Sequence, residues 1–189
     1  MKIINLLKNK ENTLSFEVFP PKTSDRMESV EQAARAIARL HPDFMSVTYG
    51  AGGGTSEYTA DISADLQEKE NVPIIAHLTC VSSDRESVKQ TIALYKSKGI
   101  ENVMALRGDI PPGGRECHDY NHAIELIEDL RSAGDFCLGG ACYPEGHPES
   151  ENRRSDLIYL KQKVDAGLDF ITSQMFFNND VFFGIKSFD

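Results

Sequence analysis

Six short stretches of the chain are apolar through their middles: "TLSFEVF" (13–19), "FMSVTYG" (44–50), "PIIAHLTC" (73–80), "NVMALRGD" (102–109), "FCLGGACYP" (136–144) and "DFITSQMFF" (169–177). Their apolar positions are consecutive rather than alternating, which is the pattern of a parallel strand covered on both faces. The gaps between them read as helices. Val30, Ala33, Ile37 and Leu40 share one face at 3.6-residue spacing. So do Val88, Ile92 and Tyr95, then Ile124, Ile127 and Leu130, then Leu157, Leu160 and Val164. Ser83 and Glu86 form a capping-box pattern. Gly99, Gly134 and Gly167 each end a helical pattern, and a strand follows within a few residues. The opening "MKIINLLKNKENTLSF" carries only a short apolar patch, interrupted by Asn5 and Lys8.

Strands alternating with helices predict an α/β protein of βαβ units with right-handed crossovers. An open doubly wound sheet and a closed (β/α)8 TIM barrel both fit. Polar residues near the strand ends favour the barrel. Glu17, Thr48, His77, Asp109, Tyr143 and Gln174 recur at steps of 31, 29, 32, 34 and 31 residues, one per strand. A barrel builds its site from every strand end, whereas an open sheet concentrates it at one switch point. Eight units of roughly 31 residues need about 250 residues, so the 189 residues hold about six of them. The expectation is a barrel truncated after strand six. Its first and sixth strands would be exposed edges, and the isolated chain would be prone to form a homo-oligomer.

Composition narrows the class further. Against 20 Lys and Arg stand 29 Asp and Glu, a net charge of −9, which argues against general nucleic-acid binding. No apolar run approaches the roughly 20 residues of a membrane span, and no secretory leader is recognisable. Cys80, Cys117, Cys137 and Cys142 form no C-x-x-C pair. They read as reduced thiols of a cytoplasmic protein.

Several residues carry candidate chemistry. Glu17 lies inside a strand between Phe16 and Val18. Burial there would raise its pKa and make it a general acid, although a salt-bridged structural Glu fits the same position. "ALRGDIPPGG" ends strand four. Arg107 can grip phosphate or an electron-rich ring and Asp109 can accept from an N–H, or the two can pair and stiffen the loop. "YGAGGGTS" (49–56) permits close backbone approach to a ligand but does not fit G-x-G-x-x-G. His77 and Cys80 at the end of strand three, and Cys142, Glu145 and His147 after strand five, invite a zinc reading, yet the spacings match no familiar ligand set; no metal is expected. Lys161, Lys163, Arg153 and Arg154 surround the fifth helix, where a solvated face and a phosphate contact are both open. Tyr143, Phe176 and Phe177 suit ring stacking or core packing equally.

"SFEVFPPK", "SVTYGAGG", "AHLTC", "ALRGDIPP", "YPEGHP" and "ITSQMFF" occur in this order over residues 13 to 180. Together they resemble the methylenetetrahydrofolate reductase family, bacterial type. The resemblance implies a barrel holding FAD at the strand C-termini. NADH or NADPH would reduce the flavin, which would pass hydride to 5,10-methylenetetrahydrofolate and yield 5-methyltetrahydrofolate for methionine synthesis. Residues 1–189 would then be one catalytic, FAD-binding domain, or else an inactive fragment with partial flavin binding. Carried over, Glu17 would be the general acid that opens the folate imidazolidine ring. Asp109 would touch both flavin and pterin, and Gln174 would bind the folate. Thr48, His77, Arg107, Gly108, Asp109, Tyr120, Tyr143, His147, Asp156 and Lys163 would line FAD, with Lys163 near its phosphates and Thr48 also near the nicotinamide. Asn178 and Gln162 depart from the Asp and Arg that members often carry.

Overall fold

The computed structural model describes residues 1–49, 56–115 and 117–186. All but the ends of the glycine-rich stretch 49–56 therefore lies outside the described residues. Helix α1 (Ile3–Asn9) opens the chain and strand β1 (Ser15–Val18) follows. After it come α2 (Met27–Ala38), β2 (Phe44–Val47), α3 (Ser56–Glu70), β3 (Ile74–Thr79), α4 (Arg85–Ser97) and β4 (Asn102–Leu106). The chain continues through α5 (Ala123–Ala133), β5 (Cys137–Cys142), α6 (Arg153–Asp165), β6 (Phe170–Ser173) and α7 (Asn179–Lys186). Every predicted strand is present, each shorter than its apolar run.

The six strands form one parallel sheet in the order β1-β2-β3-β4-β5-β6. A doubly wound sheet reverses its order at a switch point; this one never does. Each new strand is added on the same side of the last, which is barrel winding. Because all five pairings are parallel, all six C-terminal tips lie along one rim. β1 and β6 are the edge strands.

Strand residues alternate between two packed layers. The outward ones meet the helices. Ala76, Leu78, Val103, Ala105 and Leu138 pack with Val88, Ile92 and Tyr95 of α4 and with Leu126, Ile127 and Leu130 of α5. Val18, Met45 and Val47 pack with Ala34 and Ala38 of α2 and Ile62 and Leu66 of α3. The buried face of α2 is thus carried by Ala34 and Ala38; the expected Ala33 is exposed, and Leu40, past the helix end, is 66% exposed. No residue of α6 is fully buried; this helix packs beside α5.

The inward layer is closed at the bottom by α1, an element the opening sequence did not announce. Ile3 is fully buried with Ile75, Met104 and Cys137, and Ile4 and Leu7 pack against them. Asn102 at the start of β4 fixes this plug. Its carboxamide accepts from the Ile3 N–H (2.8 Å) and donates to the Met1 (3.1 Å) and Ile74 (3.0 Å) carbonyls.

Local signals were displaced in two places. The cap of α4 is Asp84, one residue later than the expected Ser83, and it accepts from the Ser87 N–H at 2.7 Å, satisfying one of the helix's free donors. Gly99 and Gly167 take positive φ as helix stops should, whereas Gly134 is extended. The paired glycines of β5 serve close approach instead. A Cβ on Gly139 would meet the Phe170 ring at 2.5 Å, and one on Gly140 would strike Leu168. Gly139→Ala is expected to destabilise the chain by about 1–3 kcal/mol through overpacking, read as a lower midpoint in urea at unchanged slope.

Candidate functional site

The rim formed by the strand tips carries a cavity of about 800 Å³ on the β3-to-β5 side. β3 and its following turn supply Thr79, Val81 and Ser82. β4 and its loop supply Arg107, Gly108 and Asp109. β5 and its loop supply Cys142, Tyr143, His147 and Glu149, and α6 supplies Asp156, Tyr159 and Lys163. Seven of the expected cofactor-lining residues therefore meet there: Arg107, Gly108, Asp109, Tyr143, His147, Asp156 and Lys163.

Each is held by identifiable contacts. Arg107 forms a two-pronged ion pair with Glu149 (2.6 and 2.8 Å) and bonds the Gly108 carbonyl at 3.1 Å. The pair raises the guanidinium's pKa and holds the Glu149 carboxyl below its ordinary range. The Arg107–Asp109 pairing weighed from sequence is thus replaced by a longer-range tie from β4 to the loop before α6. Gly108 has φ +88, and a Cβ there would press Thr79 and Val81 at 3.1 Å. Tyr143 and His147 meet edge to face at 4.6 Å. The Asp156 carboxylate accepts from the His147 N–H (3.2 Å) and the Ser150 hydroxyl (3.1 Å).

Lys163 reaches inward from α6 and donates to the Ala141 carbonyl at 2.7 Å. Burial lowers its pKa, opposed by Asp156. An ammonium has three donors, and among the described residues this is its one hydrogen bond. The Ser82 hydroxyl oxygen, also in the cavity wall, is buried without a hydrogen-bond partner among the described residues. A half-buried cation with donors to spare, an orphaned hydroxyl and a glycine kept free of a Cβ suit a large ligand bearing anionic oxygens.

The other expected residues lie elsewhere. Glu17, Ser46 and His77 come from three neighbouring strands and meet on the inner face: Ser46 donates to Glu17 Oε2 at 3.3 Å, and His77 Nε2 is 3.7 Å from the same oxygen. Burial pushes the His77 pKa down to about 4. The ring is therefore neutral at pH 7, and its contact with Glu17 is not an ion pair. Glu17 itself is 47% exposed, not the enclosed carboxylate its apolar neighbours suggested, because it belongs to an edge strand. Thr48 accepts from the Thr59 hydroxyl at its carbonyl, 2.9 Å. Gln174 is exposed, tied to β5 by its N–H to the Cys142 carbonyl at 2.7 Å.

Tyr120 does not line the cavity in this structure. It is 1% exposed, donates to Asp129 at 2.6 Å and lies under Arg85 at 5.0 Å, between α4 and α5. Its place is beneath the β4–α5 loop, which it anchors. Among the described residues no group of three His, Cys, Asp or Glu is placed to hold a metal. Among the described residues all four cysteines are free, and no helix is long and apolar enough to cross a membrane. Sequence reasoning missed Ser82, His122, Glu149 and Tyr159 as cavity residues. Tyr159 was findable, since it precedes Lys163 by four residues on one helix.

A sequentially wound parallel sheet with its cavity at the strand C-termini defines an α/β-barrel enzyme architecture. Among solved structures, a 2,3-dimethylmalate lyase of the PEP mutase/isocitrate lyase superfamily shares this fold, with TM-score 0.66 over 97% of this chain and 65% of that one, at 12% identity. The family model for methylenetetrahydrofolate reductase matches residues 2–187, and the chain belongs to that family. The 5,10-methylenetetrahydrofolate reductase of Pectobacterium carotovorum subsp. carotovorum is 39% identical over 165 residues, 87% of this chain and 55% of that protein. Methylenetetrahydrofolate reductase (NADH) 1 of Arabidopsis thaliana is 37% identical over 202 residues, 96% of this chain and 34% of that protein. The chain spans about half the length of the bacterial relative.

Proposed function

We propose that residues 1–189 are the catalytic, FAD-binding part of a reductase that converts 5,10-methylenetetrahydrofolate to 5-methyltetrahydrofolate with NAD(P)H in the cytoplasm. The observation that carries this reading is the convergence of Arg107, Gly108, Asp109, Tyr143, His147, Asp156 and Lys163 on one cavity at the strand tips. Bound FAD would supply the hydride relay between the two substrates. Lys163 and Arg107 would hold its anionic oxygens, Arg107 by exchanging Glu149 for the ligand. Asp109, exposed on the cavity rim, would place negative charge beside the ring system and steady developing positive charge on the pterin. Glu17 would give the folate its proton, and Gln174 and Thr48 would orient it.

The test is a two-step spectrum. The FAD-loaded protein, kept from oxygen, should bleach on adding NADH or NADPH and regain its oxidised spectrum on adding methylenetetrahydrofolate. No flavin uptake would overturn the reading. Bleaching without recovery would support the second reading, flavin binding without turnover, which the exposure of Glu17 and Gln174 favours.

A further inference from the structure

Two side-chain oxygens are buried without a hydrogen-bond partner among the described residues, the hydroxyls of Ser63 and Ser82. Such groups are uncommon, because water satisfies them in the unfolded chain and burial forfeits that bond. Ser63 belongs to α3, is 0% exposed and does not border the strand-tip cavity. Ser82 does border it, on the turn between β3 and α4. The backbone around Ser82 is well satisfied. The N–H groups of Cys80 (3.1 Å) and Val81 (2.8 Å) both donate to the Arg107 carbonyl, which pins the turn to β4, and the Ser83 N–H donates to the Cys80 carbonyl at 3.1 Å. At the start of α4 the Arg85 N–H is taken by Asp119 (3.0 Å) and the Ser87 N–H by Asp84 (2.7 Å).

The hydroxyl thus stands on a fixed turn whose local donors are already spoken for. Having no bond of its own to give up, it is free to turn between its staggered positions toward a bound group. Its place in the sheet says which part of a ligand it meets. Lys163 is held at the Ala141 carbonyl of β5, and β4 lies between β3 and β5. Neighbouring strands are about 4.8 Å apart, so the two groups stand on strands about 10 Å apart. A phosphate held by Lys163 does not reach Ser82. We propose that the Ser82 hydroxyl is a ligand-binding group, which bonds the ring-and-ribityl half of the flavin while Lys163 holds its phosphate. The assignment rests on the flavin reading above. A hydroxyl both donates and accepts, so it suits the carbonyl oxygens, ring nitrogens and ribityl hydroxyls of that half alike.

The test uses the 189-residue chain and its Ser82→Ala and Ser63→Ala variants. Thermal melts come first. Both variants should melt about 2–4 °C above the parent, because each loses a buried oxygen that nothing in the fold satisfies. Calorimetric titrations with FAD, FMN and ADP then separate the two. Ser82→Ala should bind FAD and FMN about 2- to 12-fold more weakly, the worth of one net hydrogen bond. It should bind ADP, which lacks the ring half, as the parent does. Ser63→Ala should bind all three probes as the parent does. Higher stability joined to weaker flavin binding is the result that a merely structural serine does not give, since removing one lowers the melting point. A Ser82→Ala midpoint at or below the parent's, unchanged flavin affinity, equal weakening of ADP, or the same flavin loss in Ser63→Ala would overturn the proposal and leave the flavin reading standing. A parent chain that took up neither flavin would overturn both.

Discussion

Glu17→Gln should cut the folate half-reaction by about 10²- to 10⁴-fold, the usual contribution of a positioned general acid, while reduction of the flavin by NAD(P)H continues at the parent rate. The carboxamide keeps the size of the side chain, and its oxygen can still accept from Ser46, which donates to Glu17 at 3.3 Å. What it loses is the transferable proton. The nearest titratable neighbour cannot replace it: burial pushes His77 down to about pKa 4, so at neutral pH that ring is already the unprotonated form. Rapid-mixing traces of the two half-reactions, recorded separately, check this. If both slow together, Glu17 acts on the flavin or on the fold and is not the folate acid.

The architecture was legible because buried parallel strands write themselves as continuous apolar runs, and because each tip here ends on a polar residue one βα repeat from the last. Of the cavity residues from β4 to α6, the tip pattern picked out Asp109 and Tyr143, while Gly108, His147 and Asp156 were expected there only through the family resemblance. What escaped depended on tertiary context. Helix α1 has only Ile3, Ile4, Leu6 and Leu7 to show; its stability comes from plugging the sheet's inner face, not from its own periodicity. The partner of Arg107 was misjudged because Glu149 is 42 residues away, beyond the reach of local pattern. Tyr120 was expected against the cofactor through the family resemblance alone; here it donates to the Asp129 carboxylate and lies under the Arg85 side chain, beneath the β4–α5 loop. Glu17 was read as enclosed because its sequence neighbours are apolar, but enclosure of a strand residue depends on the strand beside it, and β1 has one only on its β2 side.

Asn102→Ala is expected to be the most damaging single change to the fold. Asn102 is 1% exposed and is one of four buried polar residues, with Thr59, Ser63 and Thr91, among those described. Its side chain serves three backbone groups at once, the Ile3 N–H and the Met1 and Ile74 carbonyls. Removing it leaves buried donors and acceptors without partners, each costing about 1–3 kcal/mol unless water enters. The total should be about 3 kcal/mol, which lowers the melting midpoint by roughly 6–12 °C for a domain of this size. Asn102→Leu should do no better despite restoring volume, because the unmet groups belong to the backbone and not to the side chain removed. The loss should also be local first. With the plug untied, amide exchange in α1 should quicken before that in β4, whereas α4 and α5, packed on the far side of the sheet, should keep their protection until global unfolding. A midpoint within 2 °C of the parent, or exchange quickening uniformly across the chain, would show that α1 is held by its apolar contacts and that Asn102 is not its anchor.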